Sequence, residues 1–405
     1  MPIFFKALIC LVFTLAYPCY CDWVPGPVLP NVGDANGWNL PEYYSTFQAQ
    51  NLYGATWLFA RGPTGVELFN YNYTTDSWST LPTLEDLGDS NNWGSDPKYY
   101  STIQVVTVGN NFWLIARDAK GLVVYQYDPL TSAWAPKQGN PAFSDDNQWG
   151  NPEYYSTIQA LSFGGKIWVF ARGPDGGEIH QYDPDTDSWS QLPTLSALSD
   201  ANKWGSDPKY YSTIQVVILG DSFYLLGRSP DGLEIYQYNT VTGSWSQKQT
   251  LPDLSDENGW GVPEQYSTIR AVALQDKIWV FARGEFGLGV YEFDPSTNSW
   301  TNKQALTSLS DANGWDAVEY YSTIQPVLLN DTIAVLARGP DGLEYHTYFP
   351  LTDSWTSQET LTALSDANNW DKPEYFSTII GVNNDDEVTV FARGDTGMEV
   401  YSYES

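Results

Sequence analysis

The sequence predicts an all-β protein, a seven-bladed β-propeller with four antiparallel strands per blade, whose ring is closed when the N-terminal strand completes blade seven. Three observations predict it. First, the chain repeats itself. The second aromatic of the phrase Tyr-Tyr-Ser-Thr falls at Tyr44, Tyr100, Tyr155, Tyr211, Tyr266, Tyr321 and Phe376, in steps of 55 or 56 residues. Second, each unit holds four short runs of β-branched and aromatic residues bounded by turn formers, and a four-stranded unit of this length repeated seven times is a propeller blade. Third, the last unit stops at Tyr401–Ser405, after its third strand, while a spare fourth strand sits at the start around Trp23. Filling the vacancy with that strand removes the exposed sheet edges.

The leader comes first. Lys6 is followed by an apolar run from Ala7 to Ala16 and then by small or semi-polar residues ending Cys19-Tyr20-Cys21. This reads as a signal peptide over residues 1–21, too short to span a bilayer comfortably, with cleavage expected near Cys21/Asp22 or, alternatively, Ala16/Tyr17. A secreted, extracellular protein is therefore expected, with the propeller over residues 22–405. All three cysteines lie inside or at the edge of the leader, so neither a disulfide framework nor a thiolate metal site is expected in the mature chain.

The third unit shows the strand pattern. Strand A is read over Ser156 to Leu161, then a Gly-Gly turn; strand B over Lys166 to Arg172, then a Pro-Asp-Gly turn; strand C over Glu178 to Tyr182; strand D around Trp189. No amphipathic helix is evident. Strand D carries a tryptophan in every unit: Trp23, Trp78, Trp134, Trp189, Trp245, Trp300 and Trp355. These are read as packing of the outer strand. Trp57, Trp113, Trp168 and Trp279 sit in strand B, where other units have Tyr224, Ala334 and Thr389; a position that varies so freely reads as packing between blades.

Charge narrows the partners. With 49 acidic against 19 basic residues, the net charge of −30 repels phosphate backbones and anionic lipid heads. No nucleic-acid partner and no membrane insertion are expected. The only histidines, His180 and His346, lie in different blades, so a histidine-based metal or nucleophilic site is poorly supplied. No blade shows a unique acidic pair. The chain is read as a non-enzyme without cofactor or metal; its oligomeric state is not legible.

Antiparallel strands place the D–A and B–C connections on one face of the ring. The D–A connection carries Asp-x-Asn-x-Trp and then the paired aromatics. The B–C connection opens with an arginine, and seven of the eight arginines occupy this one repeat position, each followed four residues later by glycine. That spacing suits a tight turn with positive φ. Each blade thus sends an indole, phenols and a guanidinium toward one end of the molecule. An indole offers a flat apolar platform to a sugar ring, and fixed donors suit its hydroxyls. The candidate carbohydrate-binding residues are Trp38, Tyr43, Tyr44 and Arg61 in blade one; Trp93, Tyr99, Tyr100 and Arg117 in blade two; Trp149, Tyr154, Tyr155 and Arg172 in blade three; Trp204, Tyr210, Tyr211 and Arg228 in blade four; Trp260, Tyr266 and Arg283 in blade five; Trp315, Tyr320, Tyr321 and Arg338 in blade six; and Trp370, Tyr375 and Arg393 in blade seven.

Structural readings stand beside these. The tryptophans could serve loop packing. The arginines could pair across the hairpin with the acid six residues on, at Glu67, Glu178, Glu234, Glu344 and Glu399; yet Val123 and Gly289 stand there in blades two and five, which keep their arginines. Of each tyrosine pair, the second is expected to be buried and the first nearer the surface. Gln265 and Phe376 break the pair in blades five and seven, where weak or absent binding is expected. Asp-x-Asn-x-Trp lacks the later ligands of a calcium loop and is read as turn capping.

The phrase Trp, a short gap, Pro-x-Tyr-Tyr-Ser-Thr-Ile-Gln, then a strand ending in Arg and a Gly turn, as from Trp149 through Gly176, resembles the repeat of the bacterial seven-bladed propeller lectins of the Photorhabdus lectin type. The resemblance covers all seven units. It implies binding of fucose or related sugars in pockets near blade junctions, with the residues named above as contacts. The run from Tyr182 to Trp189 is similar to half of a kelch repeat, though Arg172-Gly173 stands where kelch units carry Gly-Gly. The expected function is a secreted, multivalent carbohydrate-binding protein whose partners are glycans or glycoconjugates. The alternative is a kelch-like scaffold for a protein partner. Two sequons, Asn72-Tyr73-Thr74 and Asn330-Asp331-Thr332, are expected on the face opposite the proposed sites.

Overall fold

Strands form where the apolar runs lie, and turn residues end them. The computed structural model describes residues 22–94 and 96–404, so the expected leader at 1–21 lies outside the described residues. The strands assemble into seven four-stranded antiparallel sheets. Six follow chain order. The seventh joins the N-terminal strand Asp22–Pro25 to the C-terminal strand Gly397–Glu404, with Trp23 opposite Tyr403. The ring is thus closed as the spare strand predicts. Both sequons lie toward the face opposite the long loops: Asn72 ends strand C of blade one, and Asn330 sits between strands A and B of blade six.

In blade three the strands run Gln159–Phe163, Lys166–Gly173, Gly176–Asp183 and Ser188–Gln191. Strand A begins three residues later than its β-propensity suggests. The residues before it form one helical turn, Pro152–Tyr155, with proline at its first position, and the Ser156 hydroxyl donates back to the Pro152 carbonyl at 2.6 Å.

The core is a series of seams between blades. Trp57 of blade one meets Phe112 of blade two at a ring separation of 5.0 Å, and Trp168 meets Phe223 at 4.7 Å. The strand-B tryptophans are therefore inter-blade packing, as expected. One seam joins Phe391, Met398 and Val400 of blade seven to Leu58, Phe69 and Tyr71 of blade one. The strand-D indoles add an outer belt. Each donates its N–H to a carbonyl of the preceding blade, from Trp78 to Pro27 and on to Trp23, which reaches Glu359.

Candidate functional site

The phrase Pro-x-Tyr-Tyr-Ser-Thr is a bracket for the arginine. After the helical turn, the Thr46 hydroxyl donates to the Tyr43 carbonyl and accepts the backbone N–H of Arg61 at 2.8 Å. The same threonine bond recurs at Arg117, Arg172, Arg228, Arg283, Arg338 and Arg393. Each guanidinium then turns inward. Arg61 donates Nε–H to the Leu87 carbonyl at 2.9 Å and pairs through Nη2 with Asp89. Asp89 is the aspartate of the next Asp-x-Asn-x-Trp phrase. The pattern repeats around the ring as Arg117–Asp145, Arg172–Asp200, Arg228–Asp256, Arg283–Asp311, Arg338–Asp366 and, across the ring closure, Arg393–Asp34.

This corrects the expectation that the arginines offer donors to a sugar. All seven repeat-position arginines are 0% exposed. A buried guanidinium requires a partner and filled hydrogen bonds, and here the aspartate and the loop carbonyls supply them, except at Arg228, whose Nη1 is buried without a partner. The hairpin glutamates are not the partners either. Arg172 lies opposite Gly177 while Glu178 lies opposite Ala171. Residues directly opposite share a face and neighbours alternate, so Arg and Glu project from opposite faces of the blade. The Asp-x-Asn phrase divides its labour: the aspartate holds the arginine, and the asparagine staples the turn, as Asn202 Nδ2 does by donating to the Ser196 carbonyl at 3.0 Å.

The tyrosine pair is reversed with respect to expectation. The first tyrosine is buried in blades one, three, four and seven (Tyr43, Tyr154, Tyr210, Tyr375) and half-buried in blades two and six (Tyr99, Tyr320). Tyr43 donates to Asp89 at 2.7 Å and Tyr154 to Asp200 at 2.6 Å. Burial and these carboxylates push the phenols of Tyr43, Tyr154 and Tyr320 up to about 12, so they remain donors. The second tyrosine (Tyr44, Tyr100, Tyr155, Tyr211, Tyr266, Tyr321) is half-buried, and only its blade-seven counterpart Phe376 is buried. These rings sit close enough to one another that Tyr44 and Tyr155 act on Tyr100. They flank neighbouring blades' helical turns and line none of the hollows described next.

The loop tryptophans, Trp38, Trp93, Trp149, Trp204, Trp260, Trp315 and Trp370, are all buried. Trp38 lies against Gly62, and Trp204 against Gly227. Their edges nevertheless form one wall of a recurrent hollow. In blade four it has a volume of about 690 Å³ and is walled by Asn202, Trp204, Asp207, Tyr210, Asp231, Glu234 and Tyr236. The same repeat positions wall hollows of about 340 Å³ in blade seven (Asn368, Trp370, Tyr375, Glu399) and about 430 Å³ in blade one (Asn36, Trp38, Glu67). A smaller one, about 310 Å³, occurs in blade five. The structure therefore brings Trp and the first Tyr together at a solvent-open site in blades four and seven, and leaves Arg and the second Tyr out of all four hollows.

Sequence reasoning missed the strand-C residues of this site. The glutamate two positions beyond the hairpin glycine projects into the hollow. Its partner two residues on is a phenol in blades four and seven, Tyr236 and Tyr401, and an imidazole in blades three and six, where His180 and His346 lie 2.9 Å from Glu178 and Glu344. Burial raises the Glu67 and Glu399 carboxyls above the usual range. The signal was present: glutamate at an alternating position opposite to arginine had to face the other way. Among the described residues, no group of three or more His, Cys, Asp or Glu is placed to hold a metal ion, and no helix is long and apolar enough to cross a membrane.

No protein-family model and no curated protein matches the sequence. Solved structures do. YCF48 from Cyanidioschyzon merolae is 11% identical, with a TM-score of 0.50 over 94% of this chain and 98% of that one. A Mycobacterium tuberculosis puromycin-hydrolyzing peptidase is 12% identical, with a TM-score of 0.50 over 91% of this chain and 52% of that one. The chain thus spans about half the length of that peptidase. At such identities the similarity shows a shared β-propeller fold and nothing more.

Proposed function

We propose that the chain is a secreted, non-enzymatic, multivalent carbohydrate-binding protein whose sites are the hollows beside the loop tryptophans. The observation that carries this reading is the recurrence of one hollow at equivalent positions of blades one, four and seven, each with an indole edge, an asparagine and a glutamate. A carboxylate and an amide side by side accept and donate to the adjacent hydroxyls of a ring, while the indole covers its C–H face. Carboxylate-walled hollows on a chain of net charge −30 favour a neutral sugar over an acidic one. Fucose or a related neutral sugar is the class that the repeat's resemblance implies. Several weak sites on one rigid disc bind a glycan-coated surface through avidity.

A glycan array competed by free monosaccharide tests this. Selective binding is expected, and calorimetric titration of Glu234→Gln should lose one site per chain with the melting temperature unchanged. An array without any selective signal overturns the sugar reading. A scaffold for a protein partner is the second reading. It is favoured by Leu130, Val241 and Leu351, which stand 81%, 79% and 83% exposed on the C–D turns of blades two, four and six.

A further inference from the structure

Blade five differs from every other unit at three positions that meet at one cavity. Gln265 stands where the other units have the first tyrosine, Gly289 where five units have the hollow's glutamate, and Phe286 at the hairpin tip where units three, four and six have Asp175, Asp231 and Asp341. Gln265, Phe286 and Gly289 all line the cavity of about 310 Å³, together with Trp260 and Tyr291.

Each departure changes its chemistry in the same direction. Without a phenol, nothing extends from Gln265 to Asp311, and the Gln265 Oε1 atom is buried with no hydrogen-bond partner. A buried acceptor in that state requires a donor from elsewhere. Without a side chain at Gly289, the Tyr291 ring folds over the glycine; a Cβ there would lie 3.0 Å from the Tyr291 hydroxyl oxygen and 3.1 Å from the ring. The cavity thereby exchanges a carboxylate for an aromatic face. Burial, together with Asp253, holds that phenol neutral, pushing it up to about 12. Phe286 is 80% exposed at the tip, an aromatic side chain left in water beside an indole. The one carboxylate lining the cavity, Glu285, stands exposed at the rim.

We propose that blade five is a site of a different class, taking a small uncharged molecule that pairs a flat apolar face with one hydrogen-bond donor. The apolar face packs between Trp260, Phe286 and Tyr291, and the donor bonds Gln265 Oε1 once the amide, which lines the cavity, turns that oxygen toward it. This inference is independent of the sugar reading, because it turns on Gln265, Phe286 and Gly289, which have no counterpart in blades one, four and seven.

Benzyl alcohol is a suitable probe: one aromatic ring, one hydroxyl, no charge. Saturable binding to the full chain is expected in ligand-observed NMR. The triple variant Gln265→Tyr, Phe286→Asp, Gly289→Glu gives blade five the residues of blade four and should weaken binding at least tenfold. Phe286→Ala, a change at an exposed tip that does not threaten folding, should weaken it severalfold. The proposal is overturned if the parent chain shows no saturable binding, meaning that water alone fills the cavity, or if both variants bind as the parent does. A silent glycan array with intact benzyl alcohol binding overturns the sugar reading alone.

Discussion

Blades four and five share a skeleton and differ in what they present. In both, threonine holds the arginine backbone, the guanidinium is buried, and an aspartate of the next loop pairs with it. In blade four that aspartate, Asp256, also accepts from Tyr210 and Lys209, each at 3.0 Å. In blade five Asp311 has no phenol opposite, since Gln265 stands at the tyrosine position. The hollow of blade four is walled by Glu234 and Asp231, that of blade five by Gly289 and Phe286. The lesson is that the groups repeated most faithfully, Arg and Asp, are the ones that hold the loops together. The wall of the solvent-open hollow keeps its tryptophan and asparagine positions and varies at the first tyrosine, the hairpin tip and the strand-C glutamate.

The comparison can be broken at its skeleton first. Asp256→Ala leaves Arg228 buried without a counter-charge, which should cost about 3 kcal/mol. Asp311→Ala should cost less, because Asp311 holds fewer partners. Equal melting temperatures for the two variants would remove the distinction. Next, Gly232→Ala and Gly287→Ala should each cost roughly 2 kcal/mol, with little difference between blades. Their φ angles are 134° and 129°, and an added Cβ would overlap the Leu251 or Leu306 carbonyl. Denaturant unfolding of both, compared with the parent, checks this.

Gln265→Tyr should sharpen the comparison from the other side. It places a phenol opposite Asp311 and should stabilise the chain by about 1 kcal/mol, read as a raised melting temperature. The smallest effect is the response to acid. Burial pushes the Asp256 carboxyl up, but Arg228 and Lys209 outweigh it and hold it below the ordinary value of 3.8. A carboxyl lowered by folding stabilises the native state fully above its unfolded value and loses that contribution as pH falls through its folded one. Asp256→Asn should therefore show a flatter fall in melting temperature than the parent below about pH 3.8. Parallel curves would show that the pair contributes nothing to acid sensitivity.

Most of the fold was legible, and the reason lies in particular residues. Period and turn chemistry located the strands, the positive-φ glycines located the hairpins, and the unmatched strand around Trp23 located the closure. The site was legible only in part. Trp204 and Tyr210 do reach a hollow, whereas Arg228 is withdrawn from it and Tyr211 lies elsewhere. Arginine looked like a ligand donor because its partner is 28 positions away, in the loop to the next blade. The nearer Glu234 looked like its partner because sequence distance is not direction: alternation along a strand sends neighbours to opposite faces.

Taken alone, the sequence determined the sevenfold repeat, the strand order within each blade and the closure of the ring, because these follow from local spacing and from a strand left without a mate. Only the tertiary structure decided which polar groups were consumed within the molecule and which were left at its surface. That choice depends on charges brought together by closure, as Arg393 and Asp34 are from opposite ends of the chain. A guanidinium taken out of water must be paired wherever it comes to rest, and where it comes to rest is a property of the assembled ring.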